Sequence, residues 1–266
     1  MLQILTCSPV NAGMIGNVKL KTFYRMAAIA ITALLTAQTA QAAIALDRTR
    51  VIFNAEQKSQ ALSISNQNKT LPYLAQSWIE NEQGQKIDSP LTALPPLQRV
   101  EPGAKSQVKV QPTGAITSLP QDRESLFYFN TREIPPRSDK PNTLQIALQT
   151  RIKLFYRPGA LALQSGDANI PQKQLTLTKE GDHYRLNNPT GYYVTIVGAS
   201  SSYKAANAPS FKAAMVSPKS SLIIDGSASA LGNNPVLTYI NDYGGRPKLI
   251  FSCTAANCMV SGTKAG

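Results

Sequence analysis

Short stretches of alternating apolar and polar residues, each closed by a turn-forming motif, run through most of this chain. Alternation with a period of two is typical of half-buried β-strands, and no segment in the first half keeps the apolar spacing of a helix. Turn motifs such as Glu101-Pro102-Gly103 and Pro135-Pro136 separate the stretches. Strands this short and this frequent predict β-sandwiches rather than alternating strands and helices.

The strand pattern is interrupted once, at Pro158 and Gly159. A chain of 266 residues is long enough for two small domains, so this break predicts the domain boundary. We expect an all-β protein with immunoglobulin-like domains at residues 43–157 and 158–266. The predicted strands are Ile44–Phe53, Gln60–Asn66, Tyr73–Asn81, Leu97–Val100, Ser106–Gln111, Leu126–Ile134 and Leu144–Arg157, then Leu175–Lys179, His183–Asn187, Tyr193–Ser200, Ala213–Val216, Ser221–Ile224, Leu237–Asn241 and Lys248–Cys253.

The N-terminal segment has the features of a secretory leader. Three cations, an apolar run and a small-residue cleavage motif follow one another: Lys19, Lys21 and Arg25, then Met26–Ala37, then Ala40-Gln41-Ala42. The apolar run is shorter than the ~20 residues that cross a bilayer, so we expect no stable membrane insertion. We predict a leader at 1–42, cleaved after Ala42, in which the residues before Met14 are an over-extended start.

The chain remains basic once the leader is removed. Three of its 27 Lys and Arg residues lie in the leader and none of its 15 Asp and Glu residues does, which leaves an excess of nine cations. A basic surface suits nucleic acid, an anionic membrane or acidic proteins. Because the chain is exported and has no basic run interleaved with aromatic residues, we expect no nucleic-acid partner.

Cys253 and Cys258 are the only cysteines that follow the predicted leader. In an oxidising compartment this isolated pair favours a disulfide that closes a hairpin. A metal site is the alternative, but it would need further Cys or His ligands, and the chain has one histidine, His183. We therefore predict a disulfide, no metal site and no cofactor.

Nothing in the sequence points to catalysis. His183 directly follows the turn at residues 180–182, which predicts a solvent-facing hairpin histidine rather than a positioned imidazole. No G-x-S-x-G, P-loop, G-x-G-x-x-G or H-E-x-x-H motif is present. Asp122 and Glu124 are more typical of turn caps than of an acid/base pair. The alternative is a two-carboxylate site assembled from distant loops, to which nothing in the sequence points. We therefore predict no catalytic residue and no enzyme.

Five segments resemble the periplasmic pilus chaperones of the PapD-like family. The longest is LPQDRESLFYFNTREIPP at Leu119–Pro136, and the others are LDRTRVIF at Leu46–Phe53, LPYLAQSWIENE at Leu71–Glu82, NTLQIALQTRIKLFYRP at Asn142–Pro158 and YINDYGGRP at Tyr239–Pro247. The resemblance implies two immunoglobulin-like domains set at an angle, like a boomerang, with a cleft between them. It also implies the periplasm of a Gram-negative cell.

The resemblance implies roles for two sets of charged residues. Arg50 and Lys153 correspond to the family's anchor for the C-terminal carboxylate of a pilus subunit, a role suited to charge-assisted hydrogen bonds. Glu124, Arg157 and Asp242 correspond to an ion network between the domains, which would fix their relative angle. Without the resemblance these residues would be ordinary solvated charges.

The family's donor strand corresponds to Leu144, Ile146 and Leu148, which share one face of a strand. Periodicity alone predicts something else, since it places these three with Ile152 and Leu154 in one buried core. The resemblance instead exposes the first three at an edge, where they would enter a subunit. An exposed apolar edge is an aggregation hazard, and a protein that keeps one generally uses it.

The resemblance also implies partners and a way of working. The chain would bind, fold and cap pilus subunits by donor-strand complementation and deliver them to an outer-membrane usher, with a self-capping dimer as an option for the free protein. The short connection from Ile134 to Leu144, which has no cysteine beside it, is typical of chaperones of rod-type pili. The alternative is an exported immunoglobulin-like adhesion or structural module.

Overall fold

The structure is a computed structural model that describes residues 42–163 and 170–266. The predicted leader therefore lies outside the described residues, apart from Ala42. Within them the chain is all β, as predicted, with three short 3-10 turns and one four-residue α-helix, Ala228–Leu231. The strands are β1 Ile44–Leu46, β2 Arg50–Asn54, β3 Gln60–Asn66, β4 Tyr73–Glu80, β5 Lys86–Ile87, β6 Leu91–Leu94, β7 Leu97–Val100, β8 Lys105–Pro112, β9 Ser125–Ile134, β10 Gln149–Arg157, β11 Thr176–Glu180, β12 His183–Asn188, β13 Val194–Ser200, β14 Ala214–Val216, β15 Ser220–Ile224, β16 Val236–Tyr239, β17 Lys248–Thr254 and β18 Asn257–Lys264.

The first domain is a sandwich of two sheets. One has the strand order β1-β3-β8-β6, and the other has the order β2-β10-β9-β4-β5, with β7 also paired to β4. Alternate residues of both sheets point inward and form one apolar core that includes Phe53, Leu62, Ile79, Phe129 and Leu154, all fully buried. Burial of these side chains accounts for most of the stability of the sandwich.

The predicted strand Ile44–Phe53 is wrong as a single element. It is divided into β1, which pairs with β3 in the four-stranded sheet, and β2, which pairs in parallel with β10 in the other sheet. The polar residues between them cross from one sheet to the other, and Arg48 pairs there with Asp47 at 2.8 Å. This change of sheet brings Arg50 beside β10.

The predicted strand Leu144–Arg157 is also shorter than expected, because regular pairing begins only at Gln149. From there β10 pairs with β9 along nearly its whole length, but β2 reaches only Lys153 to Arg157. Residues 149–152 therefore have a neighbouring strand on one side alone within the described chain. Residues 144–148 lie outside any strand, although the carbonyl of Leu148 accepts a hydrogen bond from the amide of Glu133 on β9 at 3.0 Å.

The second domain is built from a single antiparallel sheet of eight strands, ordered β14-β13-β16-β17-β18-β11-β12-β15. The two ends of this order, β14 and β15, approach each other, so the sheet closes around its own apolar core. Cys253 and Cys258 are register partners on β17 and β18 and form the predicted disulfide. The strand β18 itself was not predicted.

The hairpin turn predicted between residues 180 and 183 is present. Gly181 takes the positive φ of +60° that the turn requires, and His183 is exposed on the strand that follows. Of the helices within the described residues, none has the length and apolar character needed to span a membrane.

Candidate functional site

Arg50 and Lys153 lie side by side on neighbouring strands. They are register partners in the parallel pairing of β2 with β10, which places both on the outer face of the sheet. The Lys153 ammonium donates to Thr195 Oγ1 at 3.3 Å, and Arg50 Nη1 donates to the carbonyl of Ile240 at 3.2 Å. Thr195 and Ile240 belong to the second domain, so the two cations stand where the domains meet.

The surroundings of these two cations are suited to an anion. Burial lowers the pKa of Lys153, and the charge of Arg50 lowers it further. Burial also lowers the pKa of Arg50, although the charges of Asp242 and Glu124 oppose the effect. The Nε of Arg50 is buried and has no hydrogen-bond partner among the described residues. Since an unpaired buried donor is costly, a carboxylate entering here would gain hydrogen bonds and relieve the repulsion.

The donor residues predicted from the resemblance are exposed. Leu144, Ile146 and Leu148 have 84%, 64% and 41% of their surface accessible, whereas Ile152 and Leu154 lie in the core. The structure therefore divides the alternating apolar series at the point where β10 begins. The three exposed side chains directly precede residues 149–152, which are paired on one side alone within the described chain and so leave a sheet edge open.

The three members of the predicted ion network are in contact. Arg157 lies at the end of β10, where its Nε donates to Glu124 Oε1 at 2.8 Å. Its Nη1 and Nη2 donate to the two carboxylate oxygens of Asp242 at 2.6 and 3.0 Å. The other oxygen of Glu124 accepts from the backbone amide of Tyr193 at 2.8 Å. Residues of both domains thus converge on one buried guanidinium.

Burial acts on both buried members of this network. It would lower the pKa of Arg157, but hydrogen bonds to Asp242 and the charge of Glu124 outweigh it and raise that pKa above its ordinary value. Burial raises the pKa of Glu124, while Arg157 and the Tyr193 amide act against the rise. The guanidinium therefore stays charged at any physiological pH, and the network is held by charge-assisted hydrogen bonds.

Sequence reasoning missed the contributions of the second domain to the cation pair. Thr195 contributes a hydroxyl, Tyr193 a ring 5.6 Å from that of Phe155, and Ile240 a backbone carbonyl. A carbonyl group leaves no trace in a sequence, and a strand threonine is unremarkable. The consecutive tyrosines at 192 and 193 are the one signal that marks this segment.

Comparison with known proteins decides the family. The family described as "Pili and flagellar-assembly chaperone, PapD N-terminal domain" matches residues 43–162, and "Pili assembly chaperone PapD, C-terminal domain" matches residues 171–251. The chain belongs to the PapD-like family of pilus-assembly chaperones. The family predicted from the sequence is thereby confirmed.

Relatives with this family's names cover most of the chain. The chaperone protein PapD of Escherichia coli is 55% identical over 85% of this chain and 92% of its own length. The chaperone protein PmfD of Proteus mirabilis is 44% identical over 87% and 91%. The expected role as a chaperone of pilus assembly is confirmed, and the PapD-like family is one of chaperones rather than of enzymes.

Solved structures of PapD-like chaperones match the fold. The periplasmic chaperone SfaE aligns with a TM-score of 0.60 and 31% identity over 78% of this chain and 98% of its own. A complex of the Salmonella enterica SafA pilin with the SafB chaperone aligns with a TM-score of 0.64 and 25% identity over 79% and 95%. The predicted fold of two immunoglobulin-like domains is confirmed.

Proposed function

We propose that this PapD-like chaperone holds a pilus subunit along the open edge of β10 and anchors the subunit's C-terminal carboxylate between Arg50 and Lys153. The observation that carries the proposal is the cation pair itself. Two half-buried cations share one face where the domains meet, and one of them has a buried donor without a partner in the described chain. A terminal carboxylate supplies the missing charge and the missing acceptor together.

The open edge supplies the second half of the binding. A subunit strand laid along residues 144–152 would complete a ladder of main-chain hydrogen bonds, as in other cases of β-augmentation. Leu144, Ile146 and Leu148 would enter the groove of the subunit. Burial of three such side chains would contribute roughly 5–9 kcal/mol before ordering costs, at ~1.5–3 kcal/mol each. The anchor sets the register of the strand, because Lys153 lies on the strand that carries the edge.

The ion network supports this arrangement from behind. Arg157 lies four residues after Lys153 on β10, and its pairing with Asp242 ties that strand to the second domain. A fixed relation between the domains keeps Thr195 and the carbonyl of Ile240 beside the anchor. We therefore assign Glu124, Arg157 and Asp242 to positioning the anchor rather than to contact with the subunit.

The remaining features follow from the same proposal. The chain would be exported by a leader spanning 1–42, cleaved after Ala42, and would carry one domain at 43–157 and the other at 158–266. It would work in the periplasm and hand rod-type subunits to an outer-membrane usher. Because its free edge is apolar, the unloaded protein would cover this edge in a self-capping dimer. The solved SafB complex, in which a related chaperone is bound to a pilin, supports the scheme.

Co-expression with a pilus subunit tests the anchor. Arg50→Ala and Lys153→Ala should each prevent the subunit from accumulating in the periplasm, while the variants themselves remain folded. Arg48→Ala is the matched control, since Arg48 lies two residues away and is paired with Asp47. Undiminished accumulation with both anchor variants would refute the assignment and favour an adhesion or structural module with no folding role.

A further inference from the structure

Glu133 is a buried carboxylate that the proposed binding mechanism does not use. It lies in β9 with 5% of its surface exposed, and its Oε2 accepts a hydrogen bond from the amide of Ile44 at 2.9 Å. None of the described Lys, Arg or His side chains lies within 4 Å of it. Acidic side chains are rarely buried without a cation, because removing a charge from water is costly.

The elements around Glu133 offer no cation to compensate for this. Ala75 stands opposite it on β4, and β1 faces residues 64–66 of β3, which are not ionisable. The charged residues on the neighbouring segments are paired elsewhere or exposed: Asp47 with Arg48, Arg132 with Gln76, and Lys105. The carboxyl group of Glu133 therefore accepts a hydrogen bond from the Ile44 amide and has no cationic partner among the described side chains.

The start of the proposed mature chain lies beside this carboxylate. Ala43 is buried, and its carbonyl accepts a hydrogen bond from the amide of Gln67 at 2.6 Å, which fixes its position. Its nitrogen is three bonds from the nitrogen of Ile44 and so lies within about 4 Å of it. Cleavage after Ala42 would free this nitrogen to turn about the Cα–C bond of Ala43.

We propose that Glu133 is a binding site for the α-ammonium group of Ala43, formed when the leader is removed. A leader peptidase adds water to the peptide bond between Ala42 and Ala43, so that Ala42 leaves as a carboxylate and Ala43 keeps the amine. This amine takes up a proton at neutral pH, since an ordinary α-amino group has a pKa of about 7.7–8.0. The inference rests on the cleavage site proposed above.

The ion pair between Ala43 and Glu133 would stabilise the fold only after the leader is removed. Before cleavage the nitrogen of Ala43 is a neutral amide and the Glu133 carboxylate has no counter-charge. After cleavage an ion pair joins β1, in one sheet, to β9, in the other, and the attraction between the two charges is stronger in these buried surroundings than at the surface. The first strand of the sandwich would thus be pinned by a charge that the precursor lacks.

The test uses the mature full-length protein, prepared through its own leader, with the first residue read by mass spectrometry. NMR titration of the labelled α-amino group of Ala43 gives its pKa. We expect a pKa at least one unit above that measured in Glu133→Gln, because the glutamine keeps an acceptor for Ile44 but carries no charge. A chain that keeps Ala42 as its first residue should unfold at a lower temperature than the chain starting at Ala43, and Glu133→Gln should abolish that difference.

Each outcome is decisive. Equal α-amino pKa values in the parent and in Glu133→Gln would overturn the pair. If Glu133→Gln fails to fold, acetylation of the Ala43 amine in the parent replaces it, and an unchanged unfolding temperature after acetylation would overturn the proposal. A first residue other than Ala43 would overturn it too, and would leave the chaperone function standing, since subunit accumulation tests that separately.

Discussion

Arg157 donates two parallel hydrogen bonds, of 2.6 and 3.0 Å, to the carboxylate of Asp242 across the junction of the two domains. The geometry is the bidentate fork that a guanidinium forms best with a carboxylate. Glu124, which pairs with the same guanidinium, is almost completely buried, while Asp242 keeps 31% of its side chain exposed. The two carboxylates therefore depend on Arg157 to different degrees.

Arg157→Met should be strongly destabilising. It would leave the Glu124 carboxylate buried without its cation, and breaking a buried pair in this way typically costs 3–5 kcal/mol. Asp242→Asn should cost less, because Arg157 then still neutralises Glu124. Urea denaturation measures both. Asp122→Asn is the control, since it removes an exposed contact with Lys219 of the second domain and should change little. A loss in Arg157→Met no larger than in that control would contradict a structural role for the network.

An aspartate introduced at Ile146 should leave the free protein folded, whereas an aspartate introduced at Ile152, in the same alternating series, should unfold it. Ile146→Asp is expected to leave the free protein folded, with a change in unfolding free energy within about 0.5 kcal/mol, and to abolish subunit binding. Ile152→Asp is the matched control, because Ile152 belongs to the core and the same substitution should unfold the first domain. Circular dichroism and co-purification with a subunit distinguish the two. Unfolding of Ile146→Asp would mean that the donor residues are part of the core.

The alternation of apolar residues predicts which face of a strand is buried, but it does not show where a neighbouring strand ends. From Leu144 to Leu154 the apolar series is interrupted only at Thr150, yet pairing with β9 begins at Gln149 and pairing with β2 begins at Lys153. Ile44–Phe53 shows the same limit, because a change of sheet leaves the alternation on both sides intact. Most other strands were predicted to within a few residues.

The site formed by Arg50 and Lys153 could be predicted only from the resemblance to the family, because the local sequence does not show which strands pair. Arg50 and Lys153 are about a hundred residues apart, and only the parallel register of β2 with β10 brings them together. Nothing local distinguishes either from the other cations of the chain. Their neighbours Thr195 and Ile240 come from the other domain, through a hydroxyl and a carbonyl, and no sequence pattern predicts contacts of that kind.

The disulfide between Cys253 and Cys258 should stabilise the second domain without taking part in binding. Closing so short a loop restrains the unfolded chain by about 2 kcal/mol in the chain-entropy description. The double variant Cys253→Ala, Cys258→Ala should therefore lose up to that amount of unfolding free energy and still support subunit accumulation. Denaturation of the parent with and without a reductant is the control. Loss of accumulation at a temperature where the double variant is folded would contradict this assignment.

The free protein should become more stable when the charge of Lys153 is removed. Burial and Arg50 both lower the pKa of Lys153, so the charged form is less favourable in the folded chain than in the unfolded one. Lys153→Met keeps the length of the side chain and removes this cost. Thermal denaturation near pH 7 should therefore show a higher midpoint, while subunit accumulation falls. A midpoint at or below that of the parent would mean that the cation pair is not strained.

The affinity for a subunit's C-terminal carboxylate should fall as the pH rises through the alkaline range. Free Lys153 has a lowered pKa, and a bound carboxylate would raise it, so binding above the free pKa requires uptake of a proton. Affinity is then complete below the free pKa and is lost progressively up to the pKa of the complex, which places the start of the decline below the ordinary lysine value of 10.5. Calorimetric titration with a peptide of the subunit's C-terminal residues measures this.

Lys153→Arg should flatten the decline, because a guanidinium keeps its charge throughout the range. A peptide with an amidated C-terminus should bind weakly at every pH. An equal decline in Lys153→Arg would assign the titration to another group and remove Lys153 from the anchor.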